Sequence, residues 1–272
     1  MVKSTHKAIL NMLHIAISLV LIYILACSLL WFLQEKSIFY PSKLPLDYKF
    51  SEFENATEVF LPVSKEILLH ALHFKVLNPK GLVLYFHGNT NGLDAWGHMA
   101  KAFTELGYDV FMPDYRGFGK SGGKPGRNLL HEDADRAYSY VSKLHKANDI
   151  VFYGRSMGSG IACSLATRHS PRLLLMETPY FSILSLAMSQ RPFLPVRWLL
   201  KYPMRSDLNI KKVDCPVHLF HGTADGYIPY QQAVDLAKAY GSLDILHTYE
   251  GAEHGNLDKF PAFKGKVKEL LM

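Results

Sequence analysis

A chain of 272 residues with 30 Lys and Arg against 24 Asp and Glu carries a formal charge of +6. This is a modest excess without any Arg- or Lys-rich run interleaved with aromatics, so nucleic acid is excluded as an expected partner. Three cysteines, one of them inside the first apolar stretch, cannot build a disulfide-stapled scaffold, and no H-E-x-x-H or C-x-x-C spacing calls for a metal.

The N-terminus comes first in chain order. Residues 8–33 contain no Asp, Glu, Lys or Arg. As a helix this stretch would reach about 39 Å, more than the ~30 Å hydrocarbon core of a bilayer. A transmembrane helix is expected over 8–33, with residues 1–7 cytoplasmic because Lys3 and Lys7 precede the span, and with everything after it on the opposite side. Two processing readings compete. A signal peptide cut after Ala26 would leave the apolar run Leu29-Leu30-Trp31-Phe32-Leu33 on the mature protein, and lipidation at Cys27 would anchor the chain equally well. Once this segment is set aside, about 230 residues remain, enough for one α/β domain with a large core.

Residues 34–56 read as an irregular connector, and 57–272 as the folded domain. Two antiparallel strands open it, 57–63 and 66–74, with Pro62 marking an edge because proline has no N–H for a ladder. The apolar run 82–86 is a buried strand leading into the loop His87-Gly88-Asn89. A helix over 94–106 ended by Gly107, a strand over 108–112 and a helix over 129–144 follow. Between them, Asp114 and Arg116 are expected to brace a loop. Gly119-Lys120-Ser121 imitates the end of a phosphate-binding loop, but the glycine that motif needs five residues earlier is Asp114, so no nucleotide site is expected.

Ile150-Val151-Phe152-Tyr153 then runs into Gly154-Arg155-Ser156-Met157-Gly158, a strand followed by G-x-S-x-G and a helical pattern. A serine hydroxyl is a poor nucleophile unless a sharp turn thrusts it toward a base and toward amide donors, and small residues on either side permit such a turn. Ser156 is the expected nucleophile. Its partners should lie on later strand-end loops, since α/β sheets carry their sites at the carboxyl edge. Strand 216–220 leads to Asp225, and strand 243–249 leads to His254. His254 would take the serine proton, and Asp225 would fix the imidazole tautomer. The oxyanion would be received by the Met157 backbone N–H at the start of the following helix and by the Asn89 N–H after the third strand. Rivals exist: Glu177, at the end of strand 173–176, as the acid; His221 on the acid loop and His247 inside a strand as the base. Between 178 and 212 the strand-helix rhythm breaks down into apolar residues interrupted by Pro192, Pro195 and Pro203, expected to form a cap that covers the apolar pocket.

His87-Gly88-Asn89, the stretch 113–121, the elbow, Glu177-Thr178-Pro179-Tyr180 and the Asp225 and His254 loops occur in the order seen in α/β-hydrolases. The chain resembles that superfamily and, within it, the membrane-anchored, serine-aminopeptidase-like hydrolases. The resemblance implies an eight-stranded, mostly parallel sheet flanked by helices, with the small helical cap between strands six and seven. It also implies hydrolysis of an ester, thioester or amide through an acyl-enzyme, with no cofactor. The expected activity is cleavage of an acylated, lipid-like small molecule by a membrane-tethered serine hydrolase. An aminopeptidase or amidase, and a non-catalytic binding module on the same fold, are the alternatives.

Overall fold

The central strands of this chain are apolar over most of their length, and such runs are stable only when both sheet faces are covered. The computed structural model describes residues 2–272, the side chains at 2–5 and 8 excepted. The expected cytoplasmic placement of 1–7, which rests on Lys3 and Lys7, therefore lies in part outside the described residues. Eight strands form one sheet: β1 Ala56–Pro62, β2 Leu68–Phe74, β3 Leu82–Phe86, β4 Asp109–Pro113, β5 Ile150–Arg155, β6 Leu173–Glu177, β7 Val217–Gly222 and β8 Leu246–Tyr249, in the order β1-β2-β4-β3-β5-β6-β7-β8. The β1–β2 and β2–β4 pairs are antiparallel and the other five parallel, so the expected mostly parallel sheet is observed.

The helices in chain order are α1 Val2–Ile38, α2 Leu93–Trp96, α3 Lys101–Thr104, α4 Arg127–Val141, α5 Met157–Ala166, α6 Ile183–Gln190, α7 Val196–Leu199, α8 Ser206–Asn209, α9 Gln231–Tyr240 and α10 Pro261–Leu271. Alternate strand residues enter opposite cores. Leu82, Leu84, Phe86, Ile150 and Phe152 pack with α4, α5 and α9, whereas Val83, Tyr85, Val151 and Tyr153 pack with α3 and α10.

Several elements differ from the sequence expectation for local reasons. The helix expected over 94–106 is broken into α2, a 3-10 turn over Gly97–Ala100 and α3. The break falls where the Phe53 ring presses on Gly97 so closely that a methyl group there would collide with the ring. β7 runs two residues further than expected, taking His221 and Gly222 out of the loop and into the ladder through the His221↔Thr248 and Gly222↔Tyr249 pairs. β8 starts only at Leu246, because a turn closed by the Leu246 N–H on the Leu243 carbonyl precedes it.

α1 continues to Ile38, past the apolar run, because its last turns are held by the domain. Gln34 donates to the Leu199 carbonyl and accepts from the Lys201 N–H at 2.8 Å, Tyr202 donates to Glu35, and Asn89 donates to the Ile38 carbonyl. Over Ile9–Ile38 the helix is long and apolar enough to cross a membrane, and almost none of its surface is buried against the protein. The chain after it pairs with two loops at the sheet's carboxyl edge, Tyr40 with Thr90 and Lys43 with Gly119.

Candidate active site

Parallel register brings the strand ends into one row: Phe86 faces Gly154, Arg155 faces Glu177, Glu177 faces Phe220 and Gly222 faces Tyr249. Ser156, immediately after β5, has φ 52° and ψ −118°, a backbone region that costs an L-residue of order 1–3 kcal/mol unless its surroundings enforce it. The enforcement is visible. The Ser156 N–H is held by the Glu177 carbonyl at 2.9 Å, and α5 starts at once behind it. Gly158 packs so tightly beneath β3 that a methyl group there would be driven into the Phe86 carbonyl oxygen and would sit 2.7 Å from that of His87.

Asp225 follows β7 and His254 follows β8. The Asp225 Oδ2 atom lies 2.7 Å from His254 Nδ1, and His254 Nε2 lies 3.0 Å from Ser156 Oγ. A carboxylate accepts, so His254 Nδ1 carries the proton and Nε2 is free to accept from the serine hydroxyl. The acid is buried completely at its side chain, while the imidazole is about one-fifth exposed, open on the side where a substrate must enter. The Tyr227 ring stands 5.4 Å from the His254 ring at this opening.

Burial by itself would raise the Asp225 pKa, but hydrogen bonds from His221 and His254, the charge interaction with His254 and the Ile228 N–H outweigh it and hold the carboxyl well below the usual carboxylate range. The Tyr227 and Ile228 amides both donate to Oδ1, at 2.9 and 2.8 Å. A depressed native pKa contributes stability that is fully present above the unfolded value near 4, begins to be lost below it and is gone once pH has fallen through the lower native value. Urea stability of the wild type should therefore fall more steeply than that of Asp225→Asn as pH is lowered from about 5 to 3; parallel curves would contradict this.

Both residues expected to receive an oxyanion flank Ser156. Met157 opens α5, and among the described residues its N–H has no acceptor, nor has the Asn89 N–H. The loop that carries Asn89 runs beside the serine, since a methyl group at Gly88 would sit 3.8 Å from Ser156 Cβ. Asn89 is tied from the other side, its carbonyl accepting from the Tyr40 N–H at 2.9 Å. The His87 ring, 3.1 Å from Asp114 through Nε2 and 2.8 Å from the Gly88 carbonyl through Nδ1, braces that loop, and Arg116 forms a two-point pair with Asp133 at 2.7 Å.

The rivals are drawn elsewhere. Glu177 is fully buried, taking the Tyr153 hydroxyl on Oε2 and the Arg155 guanidinium on Oε1 at 3.2 Å, and it does not touch His254. His247 pairs with His218 at 2.9 Å in the outer strands. His221 lies behind Asp225, its Nε2 2.8 Å from the Ile228 carbonyl and 3.3 Å from the carboxylate, so it supports the acid rather than the serine. Among the described residues no group of His, Cys, Asp and Glu is arranged to hold a metal.

Sequence reading alone passed over Arg155. Its guanidinium pairs with Glu177, lies 5.3 Å over the Trp96 ring and donates through Nη2 to the His254 carbonyl at 3.4 Å. It thus ties the histidine loop to the nucleophile's strand. A buried planar fork with these partners has no equivalent in lysine. Arg155→Lys is expected to lower kcat about tenfold through a displaced imidazole, with little change in KM. An unchanged kcat would show that the loop is positioned without it. The signal available beforehand was a charged residue ending an apolar strand one register step from another, Glu177.

A family model described as serine aminopeptidase, S33, matches residues 77–199. The chain is 30% identical over 220 residues to the lysophosphatidylserine lipase ABHD12 of Rattus norvegicus, covering 70% of this chain and 55% of that protein. It spans about half the length of the curated relatives of this kind that it matches. An esterase of Pyrococcus furiosus superposes with a TM-score of 0.67 at 16% identity, over 86% of this chain and 97% of that one. A monoacylglycerol lipase of Paleococcus ferrophilus superposes with 0.59 at 19%, over 75% and 98%. The strand order, the elbow and these likenesses agree, and the chain belongs to the α/β-hydrolase superfamily.

Proposed function

We propose that this chain is a membrane-anchored serine hydrolase that cleaves an acyl ester or thioester through an acyl-enzyme. The observation that carries the reading is the unbroken hydrogen-bond chain from Asp225 through His254 to Ser156 Oγ. In the reaction, Ser156 Oγ attacks the acyl carbon as His254 Nε2 takes its proton. The carbonyl oxygen becomes an oxyanion facing the Met157 and Asn89 N–H groups. Collapse of the intermediate expels the alcohol or thiol, which receives the proton from His254, and a water then repeats the cycle on the acyl-enzyme. No metal or cofactor enters these steps.

The relative named as a lysophosphatidylserine lipase supports a lipid-like substrate with a single acyl chain. α1 supports delivery from a bilayer, with residues 1–7 cytoplasmic, the catalytic domain on the far side and residues 178–212 acting as the cap over the acyl group. A second reading, peptide-bond hydrolysis, draws on the family model's description alone. The two separate by rate: p-nitrophenyl acyl esters and lysophospholipids should be turned over, and aminoacyl arylamides should not. A fluorophosphonate adduct on purified full chain should map to Ser156. An adduct elsewhere would overturn the assignment, and no adduct at all would favour a non-catalytic binding module.

A further inference from the structure

The segment joining α6 to α7 is exposed where a folded domain usually is not. Phe193 is 89% exposed and Trp198 82%, with Met188 beside them at 42%. Two prolines, Pro192 and Pro195, lie in the same turn and carry no N–H. The amides of Leu194, Val196, Trp198, Leu199 and Leu200 are satisfied within the segment itself, whereas among the described residues those of Phe193 and Arg197 find no acceptor.

Its position along α1 is the second observation. The Tyr23 hydroxyl donates to the Phe193 carbonyl at 3.0 Å, and an apolar groove of about 340 Å³ between helix and segment is lined by Tyr23, Ile24, Cys27, Trp31, Pro195 and Leu199. Tyr23 precedes Ile38 by about 22 Å of helix. A ~30 Å hydrocarbon layer centred on the charge-free run 8–33 takes up about 20 of its residues, which leaves Tyr23 within the layer and Trp31 to Gln34 near its edge. The segment touching Tyr23 is therefore at the same depth. The third observation is charge. Arg191 and Arg197 are exposed and form no ion pair among the described residues, while Lys201, 3.6 Å from Glu35, lies 4.1 Å over the Trp31 ring at the level of the edge. The two unpaired arginines have long apolar stems along which their charged ends can reach toward phosphate headgroups.

We infer that residues 191–198 form a membrane-inserting tip, which enters the leaflet from which α1 emerges and keeps Phe193 and Trp198 among acyl chains. The occupant of this face is bilayer lipid. The inference rests on the reading of α1 as a membrane span, and it adds a second contact that fixes the domain's tilt against the surface, as one helix cannot. It also opens the groove beside α1 at acyl-chain depth.

The test uses full-chain protein reconstituted in vesicles of phosphatidylcholine and phosphatidylglycerol, with the environment-sensitive fluorophore NBD attached at Phe193→Cys, at Trp198→Cys and, as a reporter for the span, at Leu19→Cys. The native cysteines are buried and the three chosen positions are exposed, so the single labels need not disturb the fold. Nitroxide lipids carry the quencher either near the headgroup end of the chain or near its terminus. The Leu19 and Phe193 labels should be quenched most by the deep nitroxide, since Phe193 is bonded to Tyr23 one turn along α1 from Leu19, and the Trp198 label most by the shallow one, since the neighbouring Leu199 is bonded to Gln34 near the edge, with blue-shifted emission at both tip positions. Quenching at Leu19 with water-like, unquenched emission at Phe193 and Trp198 would overturn the inference and leave the anchor intact. Blue-shifted but unquenched emission at the tip would also overturn it, by showing that a second copy of the chain covers this face. Loss of quenching at Leu19 as well would remove the span and the tip together.

Discussion

Ser156→Ala is expected to lower kcat toward acyl esters by about a millionfold and to abolish fluorophosphonate labelling, because triad members act as a unit and the loss of any one removes nearly the whole rate contribution of the chain of proton transfers. The residual rate should come from the Met157 and Asn89 amides, which remain in place. Alanine at φ 52° bears the same backbone strain as serine, and the hydroxyl's partner at 3.0 Å is a histidine open to solvent, so stability should change by less than about 1 kcal/mol. Urea midpoints for the two proteins, measured beside ester turnover, separate catalytic loss from unfolding. Retained turnover in a folded Ser156→Ala protein would remove the serine from the mechanism.

Gly158→Ala is expected to cost more stability than any other single methyl group in the elbow, more than about 4 kcal/mol. The added carbon would meet two backbone carbonyls, those of Phe86 and His87, and neither can move aside like a flexible side chain. Relief would require α5 to lift away from β3, and this would carry the Met157 N–H away from the serine and open a core in which Ile161, Ala162 and Leu165 are fully buried. The predicted signature is loss of soluble protein at 37 °C, or a urea midpoint far below that of wild type with labelling of Ser156 reduced in parallel. A Gly158→Ala protein with wild-type midpoint and labelling would show that the helix is not held against β3 as tightly as the carbonyl contacts require.

The two glycines of G-x-S-x-G were legible as a requirement for room. What they make room for was not, because the colliding groups are the backbone of α5 for Gly154 and, for Gly158, the carbonyls of Phe86 at the end of β3 and of His87 after it. Legibility varied in the same way along the chain. Strands β3, β5, β6 and β7 could be read from apolar runs because burial on both faces leaves them largely apolar, with Arg155 and Glu177 only at the strand ends and the two histidines of β7 as the exceptions. The broken helix after β3 could not, since the break coincides with the close approach of Phe53 to Gly97, a contact with a residue some forty positions earlier. The loops bearing Asp225 and His254 were identified as strand ends by order alone. That His254 is paired with Asp225 and that Glu177 is occupied by Arg155 and Tyr153 depend on which side chains the sheet register sets opposite each other.

Composition and local pattern by themselves determined a charge-free stretch long enough to span a bilayer, an alternation of strands and helices that requires a covered parallel sheet, and a nucleophile elbow with acid and base in later strand-end loops. These follow from short-range physics: burial of apolar runs, backbone freedom at glycine and the side-chain period of each element. Only the tertiary structure decided that α1 runs on to Ile38 with its end bonded to the loop of Asn89, that Arg155 bridges Glu177 and the His254 carbonyl, and that the tip carrying Phe193 lies beside Tyr23. Each is a contact between residues distant in the chain, and its energy depends on geometry that no local window of sequence contains.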